Sequence, residues 1–361
     1  MSASVTDRPA APTPKPSSIS RLTRTPVRRH LLGALIGLVV VILVLESVGT
    51  FRQSQLTSVA YLAIAAGGLT ILTGINGQLS LGHGAFMAVG AYTAALILRS
   101  QNAGWIVPLT ILAAVITTSI VGIIVGVAAA RLRGPYLAGA TLALAVAVPG
   151  LALYFSDYLG GEQGLVVPAP TVPPILDDIM YFITGNDFST TKFVSYTSWI
   201  LLILVFFLLA GVSSSRTGRQ WRAVRDDEIA AELAGIDLAR ARILAFVVSA
   251  ACAGAAGAVL AMAARIAAPS GFTLTLSLTL LSAVVIGGLG SLTGALIGAA
   301  LLTYIPPIVT NLGLDAGLTS LQSAELAPLV TGIFTVLVIL FAPSGLVGTF
   351  STWRITRKGE K

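Results

Sequence analysis

Few side chains in this sequence can do chemistry, and their spacing limits what that chemistry is. His30 and His83 are the only histidines and Cys252 is the only cysteine, so neither a zinc cluster nor a disulfide framework can be assembled. No Gly-x-x-x-x-Gly-Lys-Ser/Thr occurs, so a P-loop must come from another chain if ATP is used. The densest polar run in an apolar setting is Asn76-Gly-Gln-Leu-Ser-Leu-Gly-His83. Asn76, Gln78, Ser80 and His83 offer amides, a hydroxyl and an imidazole, which hydrogen-bond either to a polar solute or across a helix pair. One histidine does not make a proton relay. Glu46 is the only carboxylate inside an apolar span, near its outer end, where snorkelling to the interface is expected.

The elements that must hold these residues follow from composition. The chain has 361 residues, 55% hydrophobic and 10% charged, well below the roughly 25% charge of soluble domains. Lipid must therefore cover much of it. Gln53–Leu98, Ser100–Ala130, Gly134–Ser156, Phe193–Ser215, Ile243–Ala264, Ile266–Leu314 and Leu326–Trp353 carry no charge. A crossing takes about 20 apolar residues, and continuous runs favour helices over a barrel. We therefore expect an all-α integral membrane protein of about ten spans. They lie at 31–50, 57–73, 83–98, 104–130, 135–156, 196–212, 241–265, 276–288, 293–308 and 326–342. The 276–308 segment could instead form a re-entrant hairpin, because 276–288 is short for a crossing. Residues 1–30, rich in Pro, Ser, Thr and Arg, read as a disordered cytoplasmic tail, 31–345 as the membrane domain and 346–361 as a basic tail. With both termini inside, all but Arg52, Arg99, Lys192 and Arg265 of the 22 basic residues fall on the cytoplasmic side. Trp105, Trp199 and Trp353 fall near interfaces, as anchors would.

Three soluble pieces remain: outer loops at 157–195 and 309–325, and an inner loop at 213–240. The inner loop predicts a helix from about Arg219 to Ala234, closed by Gly235 at positive φ. Asp237 then caps a second short helix leading into the next span. Ala230, Ala231 and Ala234 would admit another backbone closely; the plainer reading is a solvated connector with Arg222 and Asp226 paired at i,i+4. Two glycine-rich breaks, Gly74–Gly84 and Gly287–Gly294, fall where a descending span meets an ascending one. They suggest a distant parallel repeat and mark candidate positions on a solute path, namely Gly287, Gly288 and Gly290 beside the polar run. Close packing through small residues is the favoured reading of the second break. Gly160-Gly-Glu-Gln-Gly-Leu165 reads as an ordinary loop start or a contact for an outer partner.

Motif order then adds a resemblance. The inner loop resembles the EAA loop of bacterial ABC importer permeases: Ala230, Ala231 and Gly235 match, whereas Ile229 stands where Glu is usual and Glu228 comes one residue early. Gly77-Gln-Leu-Ser-Leu-Gly-His-Gly-Ala-Phe86 with Gly90-Ala-Tyr-Thr93, Arg131-Leu-Arg-Gly-Pro-Tyr-Leu137, Gly160–Leu165, Arg225-Asp-Asp-Glu-Ile-Ala-Ala231 and Gly287–Leu292 are together similar to branched-chain amino-acid permeases of the LivM type. Pro135 departs from the Asp often found there. The resemblance implies a permease in a bacterial inner membrane, partnered by two ABC ATPase subunits, a second homologous permease and an extracytoplasmic solute-binding protein. No cofactor and no nucleic acid are implied. It also implies that Glu228, Ala230, Ala231 and Gly235 meet the ATPase. An importer for urea or short amides fits the uncharged interior equally. An ion-coupled secondary transporter would need carboxylates deep in the membrane, and an enzyme would need clustered catalytic groups; neither is visible in the sequence.

Overall fold

The charge-free stretches fold as helices because a backbone in lipid must satisfy its own hydrogen bonds. The computed structural model describes residues 26–100, 104–132, 135–184 and 188–350. Its helices are α1 (Pro26–Ser47), α2 (Thr50–Leu69), α3 (His83–Ser100), α4 (Val107–Arg131), α5 (Pro135–Tyr154), α6 (Ser156–Leu159), α7 (Pro174–Thr184), α8 (Thr190–Ser214), α9 (Arg216–Asp226), α10 (Glu228–Leu233), α11 (Leu238–Ala264), α12 (Leu274–Gly287), α13 (Leu292–Asp315) and α14 (Ser320–Phe341). Among the described residues, nine helical stretches are long and apolar enough to cross a membrane. The tenth apolar helix, α3, has 18 residues and buries twelve of them. The chain is an all-α integral membrane protein.

The bundle is built around α11, whose middle is almost entirely Ala and Gly. Lipid gives helices no hydrophobic reason to associate, so close van der Waals contact must supply it. A methyl on Gly254 would overlap the Thr118 hydroxyl and come within 2.7 Å of the Ala114 carbonyl on α4, and one on Gly257 would strike the Met87 carbonyl on α3. Small residues here let α3 and α4 seat directly on α11. By contrast α1 touches mainly α8 and shows most of its surface outward.

Two ends can be told apart. At one, Arg225 meets Gly74, Gly74 abuts Gly290, and Gly288 abuts Ser344. At the other, the Leu165–Val166 strand (β1) pairs antiparallel with Ile266–Ala267 (β2). Glu46 meets Lys192 there too. The loops read as inner thus gather at one end, which we call the arginine-rich end.

Several expectations change. Glu46 is paired as well as placed near the outer end: its carboxylate accepts from Lys192 Nζ at 2.7 Å and Tyr196 OH at 2.6 Å, tying α1 to α8. The loop expected at 309–325 shrinks to the link between α13 and α14, because α13 runs on through Pro306 and Pro307 to Asp315. A capping box at Thr319 and Gln322 then starts α14 early. Between the 276–308 alternatives, α13 has 24 residues, while the 14-residue α12 reaches 19 only by adding the turn at Pro269–Phe272. Gly160–Leu165 is an ordered pin rather than a plain loop start. Gly160, Gly161 and Gly164 all take positive φ. Gly164 packs so tightly on Ala267 and Ala268 that no side chain fits. Trp105 is exposed at the start of its helix and Trp199 is half-buried. Residues 1–25 of the expected tail, Trp353 and the last eleven residues lie outside the described residues.

Candidate functional site

The end of α2 carries a run of hydroxyl and glycine residues, Thr70-Ile-Leu-Thr-Gly-Ile75, and there its helix widens into a π-turn. Asn76 N donates to Ile71 O and Gln78 N to Leu72 O, each at 3.0 Å, and Thr73 Oγ1 donates to Gln78 O at 3.0 Å. Such widened turns recur at functional sites. The segment reverses at Gly77, with φ +82, and re-enters helix at His83. Two other helices receive it. Gly84 N donates to Ser277 Oγ on α12 at 2.9 Å, and Leu81 N to Thr141 Oγ1 on α5 at 3.0 Å. These bonds take up donors that a helix start leaves free.

This segment brings Asn76, Gln78, Ser80 and His83 together, all buried. His83 Nε2 lies 3.1 Å from Ser249 Oγ on α11, which donates to Gly68 O at 2.8 Å. His83 Nδ1, both amide atoms of Asn76 and both of Gln78 have no partner among the described residues. A buried polar group left unpaired costs about 1–3 kcal/mol, so these atoms call for a polar partner from outside the described residues.

The second break has a different interior. A methyl on Gly287 would overlap the Gly294 carbonyl across the α12–α13 turn. Gly288, at φ +118, would bring one to 2.9 Å from Ser344 O. Ser291 caps α13 by accepting from Gly294 N at 3.1 Å. Gly290, φ +84, faces the first break. A side chain at Gly74 would overlap its backbone nitrogen. The two breaks therefore touch, which their sequence separation conceals.

The inner loop folds as two helices rather than one. Asp227 interrupts it and caps α10, accepting from Ile229 N at 2.9 Å and Ala230 N at 3.0 Å. The expected Arg222–Asp226 pair does not form. Arg222 donates to Ser213 O instead, and Asp226 accepts from Arg225 Nη2 at 2.8 Å, because Asp226 sits at the helix end, beside its neighbour. Gly235 takes φ +82, as anticipated. Asp237 caps through Arg240 N, but the helix it caps is the long α11 itself rather than a separate short one. Glu228, displaced by one from the usual place, accepts from Arg242 Nη2 at 2.5 Å. The Arg242 side chain is only 7% exposed. Of the small residues, Ala231 turns inward, whereas Ala230 and Ala234 stay exposed beside Ile229 and Leu233, 73% and 85% exposed. Sequence reading missed the anchor of the whole loop: Trp221 is fully buried and donates from Nε1 to Ala241 O at 2.9 Å. The i,i+3 series Gly218, Trp221, Val224, all buried, was the available signal.

Residues 52–343 match the family described as the permease component of branched-chain amino acid transport systems. The chain belongs to this permease family. It is 30% identical over 293 residues to the branched-chain amino acid permease LivM of Salmonella typhimurium, covering 78% of this chain and 66% of that protein. Against LivM of Escherichia coli the identity is 30% over 323 residues, covering 83% of this chain and 70% of that one. BraD of Pseudomonas aeruginosa is 28% identical over 293 residues, 79% of this chain and 91% of its own length. The chain thus spans about two thirds of the LivM relatives. Both glycine breaks and the two-helix loop fall inside the family match; α1 precedes it and joins this permease through Glu46.

Proposed function

We propose that this permease is the membrane subunit of an ATP-driven importer for branched-chain or related amino acids. Its arginine-rich end faces the cytoplasm of a bacterial inner membrane, and both termini lie there. Two ATPase subunits bind and hydrolyse ATP, a second homologous permease completes the membrane pair, and an extracytoplasmic binding protein delivers the solute. The observation that carries this reading is α10. It is held from behind by the Asp227 cap and the Glu228–Arg242 pair, and it turns Ile229 and Leu233, one helical turn apart, away from the bundle. A short rigid helix with an unpartnered apolar face fits a groove on a cytoplasmic motor. Glu228 secures the helix, Ala230 lies on its outer side, Ala231 seats it and Gly235 lets the chain turn away. The names of the relatives favour amino acids over urea or amides. We further read α2–α3 and α12–α13 as corresponding pairs of a parallel repeat, the solute passing beside Asn76, Gln78, Ser80 and His83. Gly287, Gly288 and Gly290 pack the wall next to it.

The test is Ile229→Asp with Leu233→Asp in the assembled transporter, reconstituted with its ATPases and binding protein. Both positions are exposed, so the bundle itself should fold normally. ATPase co-purification and ATP-dependent leucine uptake should be lost together. Normal assembly and uptake would overturn the docking reading, and uptake of urea in place of leucine would move the solute class.

A further inference from the structure

Arg225 stands in the last turn of α9, yet it bonds outside its own loop. Its Nη1 donates to the Gly74 carbonyl at 2.7 Å, in the widened turn that ends α2. Nε and Nη2 both donate to Asp226 Oδ1, at 3.0 and 2.8 Å, and so fix the plane of the guanidinium. The stem lies across Gly77, where a side chain would meet Arg225 Cγ at 2.8 Å. Four consecutive residues thus divide the work. Arg225 holds the α2 break, Asp226 orients Arg225, Asp227 caps α10 and Glu228 fastens α10 to Arg242.

We propose that Arg225 is a latch that carries displacement of α10 to the α2–α3 break, through its bond to the Gly74 carbonyl. The inference rests on the importer reading and extends it to a route. Trp221 anchors α9 to the base of α11, so motion imposed on α10 acts at the α9–α10 joint, and Arg225 is beside that joint. A charge-assisted bond to a backbone carbonyl pulls on the chain itself rather than on a side chain that can change rotamer. The chain it pulls is the one that holds Asn76, Gln78 and His83, whose side chains carry polar atoms without a partner among the described residues. Contact between Gly74 and Gly290 then brings the second break under the same pull.

An alternative role for Arg225 is simple: a cation at a helix C-terminus, stabilising α9 through its dipole. The two roles separate in the assembled transporter. Arg225→Gln and Arg225→Lys are compared for solute taken up per ATP hydrolysed, and for backbone hydrogen exchange at residues 76–82 and in α10. The latch predicts that R225Q still hydrolyses ATP, that uptake per ATP falls about tenfold or more, and that exchange rises at 76–82 with α10 unchanged. R225K, which keeps the charge and one donor, should fall between. Wild-type exchange at 76–82, or unchanged uptake per ATP, in R225Q would overturn the latch. A dipole role predicts faster exchange in α9 with coupling intact. Should R225Q not assemble, R225K decides by the same two readings. If the wild-type complex takes up no amino acid, the importer reading fails, while exchange at 76–82 still decides whether Arg225 holds the break.

Discussion

Between α2 and α3 the chain buries four polar side chains around a widened turn, and the amide atoms of two find no partner among the described residues. Between α12 and α13 it buries backbone against backbone, Gly287 on Gly294 and Gly288 on Ser344, while Ser291 and Thr293 stay outside that contact and bond each other at 3.0 Å. Glycine serves the two places differently. In the second it removes a side chain so that two strands of backbone can touch, and dispersion stabilises the result. In the first, Gly77 at positive φ releases the helix into a turn that places polar side chains in the interior, while Gly74 makes a backbone contact with Gly290. Segments that move in a mechanism come from the less stable end of a structure. Under the proposed importer reading, we take the first break as the moving part and the second as its bearing surface.

The largest expected effect tests the bearing. Gly287→Val forces two methyl groups and a Cβ into the Gly294 carbonyl, and neither backbone can retreat without separating α12 from α13. Overpacking costs typically about 1–3 kcal/mol and more where backbone is struck. The fraction recovered as monodisperse protein in detergent should collapse, and Gly287→Ala should show a milder loss. Normal yield and thermal stability for the valine variant would mean that the contact is loose and the contrast with the first break is unfounded.

The opposite sign is expected at the moving part. Gln78→Met keeps length and volume while deleting two unpaired polar atoms, so the folded protein should gain about 1–3 kcal/mol. Tm should rise by a few degrees. Uptake per folded molecule should fall, since the segment loses its reason to rearrange. A lower Tm would show that Gln78 finds partners in the assembled protein and that the segment is not held at a penalty.

These contrasts mark what was legible in the sequence. Charge-free stretches revealed the spans because lipid tolerates few charges, and Gly235 and Asp237 revealed the loop's corners because positive φ and helix capping are local demands. What stayed hidden was tertiary. Glu46 and Lys192 stand 146 residues apart and Arg225 and Gly74 stand 151 apart, and nothing in either local pattern names the partner. The span expected at 293–308 stops short, yet the helix continues past Pro306 and Pro307 to Asp315, with Thr310 Oγ1 donating to Pro306 O at 3.0 Å. The glycines of both breaks were visible; that one set buries orphaned amides and the other only backbone depends on what surrounds them.

The smallest expected effect compares how each ascending helix begins. At α13 the cap is local, Ser291 accepting from Gly294 N three residues on. At α3 the receiving hydroxyl comes from Ser277 on another helix, 193 residues away. Removing either hydroxyl by alanine should cost about 1 kcal/mol, so thermal stability alone should not tell Ser291→Ala from Ser277→Ala. Function should. Ser291 restrains only its own turn, whereas Ser277 ties the start of α3 to α12, and through α12 to the bearing. Loss of that tie frees the break to move without the wall beside it. Uptake per ATP should therefore fall in Ser277→Ala and stay at the wild-type level in Ser291→Ala. Equal uptake in both would place the two breaks on the same footing, and the division between moving part and bearing would have to be given up.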